Sequence, residues 1–431
     1  MPLEKIVIHE RKCLRGEVTL PGDKSISHRA IIFSALSSGT VIVSGLSSGE
    51  DNRRTAKMFE LMGVTIKKKG PSDCVIQGRG LHGLKEPQAV LYAGNSGTTM
   101  RLMAGVLSGQ PFFSVMSGDD SLNARPMQRV VAPLRLMGAQ IQGRDDGSYA
   151  PLAIKGGNLC AEDFAIPVAS AQVKSALLLA GFYAQGTTVV REPVKSRDHT
   201  ERMLQFLGVP VVVNGTEVSI SGGAEIKPGH IAIPGDISSA AFFIVAGLLA
   251  KDSAIVLRGV GVNPTRTGII DILQNMGADI VMVNMREISG EPVADIEVRT
   301  SRLKGIAIGG AIIPRLIDEL PVIAVAAAFA EGTTVIRDAS ELRVKESDRI
   351  AALCAELKKL GAHVEEREDG MVIQGREQLS GAVCTSHGDH RVAMSLAVAG
   401  LGARGETVVE DCACIKTSFP QFMEKLKSIM Q

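Results

Sequence analysis

Six short polar stretches stand directly before apolar runs, and their residue types could hold anions. They read Lys24-Ser25-Ile26-Ser27-His28-Arg29, Asn95-Ser96-Gly97-Thr98, Ser170-Ala171-Gln172, Asp236-Ile237-Ser238-Ser239, Asp318-Glu319 and Gly388-Asp389-His390-Arg391. Ser, Asn and Asp in such places are ordinary helix N-caps. Capping does not account for the cations Lys24, Arg29, Arg101, Lys174 and Arg391, which fall in or beside the first turns. A helix dipole disfavours positive charge there. An anion seated between the cation and the exposed N–H groups would make the arrangement favourable. Two further basic clusters suit the same chemistry: Arg125-Pro126-Met127 with Arg129, and Arg343-Val344-Lys345-Glu346-Ser347-Asp348-Arg349. The second interleaves carboxylates with cations, which can set a general acid or base beside phosphate-binding groups.

Other signals point away from metals and nucleotides. His387-x-x-His390 has no third ligand in view, and Cys412-x-Cys414 has no partner pair. No Gly-rich loop ends in Gly-Lys-Ser/Thr, and no Gly-x-Gly-x-x-Gly opens a helix after a strand. No metal and no cofactor are expected.

The elements that must position these residues repeat six times. An Ala/Leu-rich helix pattern ends near a Gly and runs into a β-branched strand, as in Ser27 to Gly39 followed by Thr40-Val41-Ile42-Val43. The pattern returns from Thr98, Ala171, Ser238, Glu319 and His390. A second helix follows in each copy. Five of these end at Gly63, Gly138, Gly208, Gly277 and Gly361, which suit a left-handed C′ position before a strand. The sixth, from Phe419 to Gln431, stops before its Gly and strand. Periods this long exceed those of common solenoids. Six α/β modules of about two helices and several strands suggest two pseudo-symmetric domains of three.

Composition narrows the function. The chain has 431 residues with 45% hydrophobic content, enough for large cores without disulfides or metals. Its 47 basic and 46 acidic residues give a net charge of +1, against the basic excess of a nucleic-acid binder. Aromatics are 3% and Trp is absent, so stacking platforms are not expected to dominate binding. Seven scattered cysteines without a Cys-x-x-Cys pair read as reduced thiols in a cytoplasmic protein. The first residues carry Lys5, Arg11 and Lys12 without an apolar region, so no signal peptide is expected. The most apolar stretch, Ala240 to Ala250, is too short to span a bilayer. No membrane partner is expected.

From Leu20 to Phe422 the chain closely resembles EPSP synthases. The resemblance is carried by the segments from Leu20 through Arg29, Gly94 to Thr98, Ala124 to Met127 and Ser170 to Lys174. It continues through Arg197-Asp198-His199-Thr200, Arg343 to Arg349 and Gly388 to Arg391. It implies a two-domain inside-out α/β barrel built from six βαβαββ repeats, with 21–235 inserted in a discontinuous domain of 1–20 plus 236–431. The implied reaction moves the enolpyruvyl group of phosphoenolpyruvate onto the 5-hydroxyl of shikimate 3-phosphate and releases phosphate. The resemblance assigns Lys24, Ser25, Arg29, Ser170, Gln172, Ser196, Asp318 and Lys345 to shikimate 3-phosphate. It assigns Lys24, Gly97, Arg125, Gln172, Arg349 and Arg391 to phosphoenolpyruvate, and Lys24, Asp318 and Glu346 to the chemistry. Asp318 matches the carboxylate near the attacking hydroxyl, and Glu346 the group that protonates the methylene carbon. A cytoplasmic monomer is expected, with glyphosate as an inhibitor because Gly97 stands where insensitive members tend to carry Ala.

Two features depart from one or another branch. Ala171 stands where some members have a second Ser, and Lys416 lies one residue out of register with a lysine of some members. Asp23, Ser27-His28 and Arg343 to Asp348 resemble the second class of these enzymes. Two other functions compete. One is the related enolpyruvyltransferase acting on UDP-N-acetylglucosamine, which typically begins with Lys-Asn and carries a loop Cys; the segment from Gly118 to Arg125 has none. The other is a phosphate-ligand sensor, against which Asp318 and Glu346 argue, since anion binding alone would not favour carboxylates.

Overall fold

The computed structural model describes residues 4–10 and 13–430; Arg11, Lys12 and the outermost ends of the expected discontinuous domain lie outside the described residues. The chain divides into two compact units. The inserted unit comprises Gly22–Ile233 and Ile288–Glu291. The discontinuous unit comprises the chain through Pro21, Pro234–Glu287 and everything from Pro292 onward.

Each unit is organised on three apolar helices. In the inserted unit these are α1 (Lys24–Leu36), α2 (Gly97–Ser108) and α3 (Ala171–Gly181). In the discontinuous unit they are α4 (Ile237–Leu249), α5 (Leu320–Ala328) and α6 (His390–Gly402). They lack a polar face: every residue of α5 is buried, and all of α4 is except Leu249. A helix that is apolar all round belongs inside a core. Small residues let these helices approach closely. A Cβ added at Gly105 of α2 would stand 2.2 Å from the Ala176 carbonyl oxygen of α3.

Around each trio run amphipathic helices, such as Arg349–Lys359, which buries Ile350, Leu353 and Leu357 while exposing Lys358 and Lys359. The glycines after five of these outer helices do adopt the left-handed conformation, with φ of 87° at Gly63, 106° at Gly138, 81° at Gly208, 96° at Gly277 and 86° at Gly361. L-residues avoid that region, so Gly ends the helix and the strand can begin.

Among the described residues the strands form six small mixed sheets and one short two-stranded pair. In the sheet that runs Leu91–Tyr92, Phe113–Ser117, Tyr149–Lys155, Gln140–Gly143, the first pair is parallel and the rest antiparallel. With α2 and the helix Gln128–Leu136 this is one βαβαββ unit in chain order. Strand Lys5–His9 pairs antiparallel with Glu406–Glu410 and supplies a strand that the last repeat lacks at its own end. Strand Arg15–Thr19 precedes α1 but pairs with Ala254–Gly261 of the discontinuous unit. Strand His230–Ala232 precedes α4 but pairs with Thr40–Ser44 of the inserted unit. The α/β class and the repeat are therefore as expected. Among the described residues the sheets do not close into one hydrogen-bonded ring. Each of these six sheets has three or four strands.

Candidate active site

In the inserted unit the expected residues gather at the starts of the three core helices. Asp23 caps α1 by accepting the Ile26 N–H at 2.8 Å. Ser96 caps α2 by accepting from Thr99 at 3.1 Å, and Ser170 caps α3 by accepting from Val173 at 3.4 Å. The Lys24 ammonium lies 3.1 Å from the Asp51 carboxylate, both partly open to solvent. Ser25, half-buried, gives its carbonyl to Arg29 Nη1 at 3.0 Å.

Arg29 itself is buried. Its Nε donates to Thr200 Oγ1 and its Nη2 to Ser175 Oγ, each at 2.7 Å. Three of the five guanidinium N–H groups are thus engaged within the protein. Burial pulls the Arg29 pKa down to about 10, against the opposing fields of Glu201 and Asp23, so it keeps its charge at neutral pH.

Gly97 opens α2 with no side chain in its way. A Cβ built there would lie 3.4 Å from Arg101 Nη1 and 3.5 Å from Arg125 Nη1. Arg125 donates to Asn95 Oδ1 and, at 3.3 Å, to Ser121 Oγ. Arg101 donates to Gln172 Oε1, and Gln172 in turn donates to Thr98 Oγ1 at 2.9 Å. Two guanidinium groups, an amide and a helix N-terminus therefore meet around Gly97. Such a set can grip a phosphate or a carboxylate. Arg101 was legible as a cation near a helix start, but nothing in the sequence tied it to Gln172, 71 positions away.

One expected anion-holding cation proves otherwise. Lys174, in the first turn of α3, is 1% exposed and lies 2.8 Å from Glu192 and 2.7 Å from Glu201. Burial alone would lower its pKa, but the two carboxylates outweigh burial and raise it. This charge is neutralised by protein carboxylates and is closed to solvent. Ser196 is buried too, with its backbone N–H donating to Glu192 at 3.2 Å.

In the discontinuous unit, Asp318, Lys345, Glu346, Arg349 and Arg391 come together from three segments. Arg349 is the hub and is 1% exposed. Its Nε donates to Asp389 at 2.8 Å, its Nη2 to Glu346 at 2.7 Å, and its Nη1 lies 3.5 Å from Asp318. Burial would lower the Arg349 pKa, but Asp389 and Glu346 raise it instead. Asp389 is buried yet held below the usual carboxylate range, chiefly by Arg349. Asp318 sits among three cations. Lys345 Nζ is at 3.8 Å, Arg349 at 3.5 Å, and Arg391 at 3.9 Å from its carboxylate, while Arg391 also donates to its carbonyl at 2.9 Å. Asp318 does not cap α5; Glu319 holds that position without a side-chain cap bond.

The discontinuous unit thus combines two carboxylates of different setting, Asp318 and Glu346, with the guanidinium groups of Arg349 and Arg391, and the inserted unit combines its own guanidinium groups with capped helix starts. The family model for EPSP synthase (3-phosphoshikimate 1-carboxyvinyltransferase) matches residues 8–426. The chain belongs to the EPSP synthase family. A 3-phosphoshikimate 1-carboxyvinyltransferase of Geobacter sp. (strain M21) is 56% identical over 429 residues, 100% of each chain. One of Syntrophotalea carbinolica is 57% identical over 428 residues, 99% of each. A solved structure of EPSP synthase from Acinetobacter baumannii superposes with a TM-score of 0.88 at 46% identity, covering 99% of this chain and 98% of that one. Lys416 is exposed on the 3₁₀ helix Cys412–Thr417. His387 turns its Nε2 to Glu356 at 2.9 Å, so its neighbour in space is a carboxylate rather than His390.

Proposed function

We propose that this chain transfers the enolpyruvyl group of phosphoenolpyruvate to the 5-hydroxyl of shikimate 3-phosphate, as a shikimate-pathway enzyme. The observation that carries the reading is the gathering of Lys345, Arg349 and Arg391 around the Asp318 carboxylate, with Glu346 held on Arg349 beside it. A sensor that only bound anions would gain nothing from two carboxylates among its cations. In this reading the 5-hydroxyl oxygen adds to C2 of phosphoenolpyruvate as its proton leaves toward Asp318. Glu346 gives a proton to C3. The tetrahedral intermediate then expels phosphate and loses a proton from the new methyl group, restoring the double bond.

Ser25, Arg29, Ser170, Gln172, Ser196, Asp318 and Lys345 are assigned to shikimate 3-phosphate. Gly97, Arg125, Gln172, Arg349 and Arg391 are assigned to phosphoenolpyruvate, and Lys24 to both. The pair of guanidinium groups beside Gly97 supports that second assignment and adds Arg101 to it. The same reading takes glyphosate as a competitor of phosphoenolpyruvate and the protein as a cytoplasmic monomer. No described helix is long and apolar enough to cross a membrane.

The test is phosphate release with phosphoenolpyruvate and either shikimate 3-phosphate or UDP-N-acetylglucosamine, run beside Asp318→Ala. Release only with shikimate 3-phosphate, lost in the variant, is expected. Release with the UDP-sugar alone, or with neither acceptor, would overturn the proposal.

A further inference from the structure

Lys174, Glu192 and Glu201 form a buried ionic triad that the reaction itself does not use. Its two carboxylates are not equivalent. Glu192 presents one oxygen, Oε2, to both the Lys174 ammonium at 2.8 Å and the Ser196 backbone N–H at 3.2 Å. Its other oxygen, Oε1, is buried with no hydrogen-bond partner among the described residues. Ser196 Oγ is likewise buried and has no such partner. Glu192 follows strand Thr187–Arg191, while Lys174 belongs to the first turn of α3. A single carboxylate oxygen therefore pins the segment that carries Ser196 to the helix start that carries Ser170 and Gln172.

We infer that Glu192 is a positioning residue for the acceptor substrate: it fixes the Ser196 backbone so that the Ser196 hydroxyl meets shikimate 3-phosphate. The inference rests on the proposed function and goes beyond it. Lys174 supplies the positive charge that pairs with the buried Glu192 carboxylate. Glu201 balances that charge without touching Ser196.

The asymmetry allows a test in which the fold is protected. Glu192→Met and Glu192→Gln both leave Lys174 paired one to one with Glu201, so neither strands a buried charge. Only Gln can place an oxygen where Oε2 accepts the Ser196 N–H, with its amide nitrogen at the partnerless Oε1 position. Both variants are assayed for phosphate release, with each substrate varied in turn. Glu192→Met should raise KM for shikimate 3-phosphate about tenfold, the usual effect of losing one buried hydrogen bond, with KM for phosphoenolpyruvate within about twofold. Glu192→Gln should return KM for shikimate 3-phosphate to within about threefold of wild type. Equal KM values for wild type and Glu192→Met would overturn the inference, as would Glu192→Met raising both KM values alike, which is what general loosening does. A wild type inactive with shikimate 3-phosphate would instead overturn the functional reading.

Discussion

Gly97→Ala separates the fold's tolerance at this position from the ligand's. The new Cβ would lie 3.4 Å from Arg101 Nη1, 3.5 Å from Arg125 Nη1 and 3.8 Å from Leu122 Cδ1. These are ordinary van der Waals separations, and Gly97 does not use a positive φ. Replacing Gly by Ala within a helix is favourable by up to about 1 kcal/mol. The variant should therefore melt at the wild-type temperature or slightly above it. The methyl would nevertheless occupy the space in front of both guanidinium groups, where the phosphoenolpyruvate site is proposed. Glyphosate is longer than phosphoenolpyruvate and, in the proposed reading, would need that space. Overpacking costs about 1–3 kcal/mol, which converts to roughly 5- to 150-fold in affinity. The assay is an inhibition series at several phosphoenolpyruvate concentrations for both proteins. Wild type should show competition, and the variant a raised inhibition constant with a smaller rise in KM for phosphoenolpyruvate. A wild type indifferent to glyphosate, or a variant that binds it equally well, would refute the steric argument.

Gly105→Ala, on the same helix, should have the opposite outcome. Its Cβ would meet the Ala176 carbonyl oxygen at 2.2 Å and the Ala176 Cα at 2.9 Å, so α2 and α3 must separate. A loss of about 3 kcal/mol is expected, seen as a melting temperature lower by several degrees; an unchanged melt would mean the helices pack less closely than described. Glu346→Gln keeps an acceptor for Arg349 but cannot deliver the carboxyl proton, so kcat should fall roughly a hundredfold or more while shikimate 3-phosphate binding, followed by calorimetry, changes little. Near-normal turnover would remove Glu346 from the chemistry. Arg29→Lys should weaken shikimate 3-phosphate and Arg125→Lys phosphoenolpyruvate, because an ammonium cannot reproduce the planar fork; KM values for the two substrates in each variant decide, and loss of the same substrate in both would void the assignment.

The helices and their ends were legible because their signals are local. An apolar run of a dozen residues and a terminal Gly can be read without knowing the rest of the chain, and the positive φ at Gly63, Gly138, Gly208, Gly277 and Gly361 is as expected. Pairings between distant segments were not legible. Lys5–His9 completes the sheet of Glu406–Glu410 from the other end of the chain. The tip Ile288–Glu291 groups with the inserted unit, where His199 Nδ1 meets Glu291 at 2.7 Å and Ser289 accepts from Ala232. Neither residue type nor spacing announces such contacts. The same holds within the site. Lys174 and Lys24 look alike as cations near helix starts, and only the structure tells a buried lysine between two glutamates from a half-open one beside Asp51.

That distinction bears on how the site handles charge. Nearly every cation near a helix start already has a protein carboxylate close by: Lys24 has Asp51, Lys174 has Glu192 and Glu201, Arg349 has Asp389 and Glu346, and Arg391 has Asp318. The dipole at each helix start disfavours the cation, and the carboxylate offsets that cost. Partners differ in how firmly they are held. Glu192, Glu201 and Asp389 are buried almost completely, so their ion pairs persist as framework. Asp51, Glu346 and Asp318 keep between 11% and 19% exposure. An incoming phosphate or carboxylate can compete with these three for Lys24, Arg349 and Arg391. Asp318 and Glu346 would then be released from part of their ionic restraint as substrate charge arrives. In the proposed reaction these two carboxylates would then serve proton transfer, while the buried Arg349–Asp389 pair holds the helix start beside them.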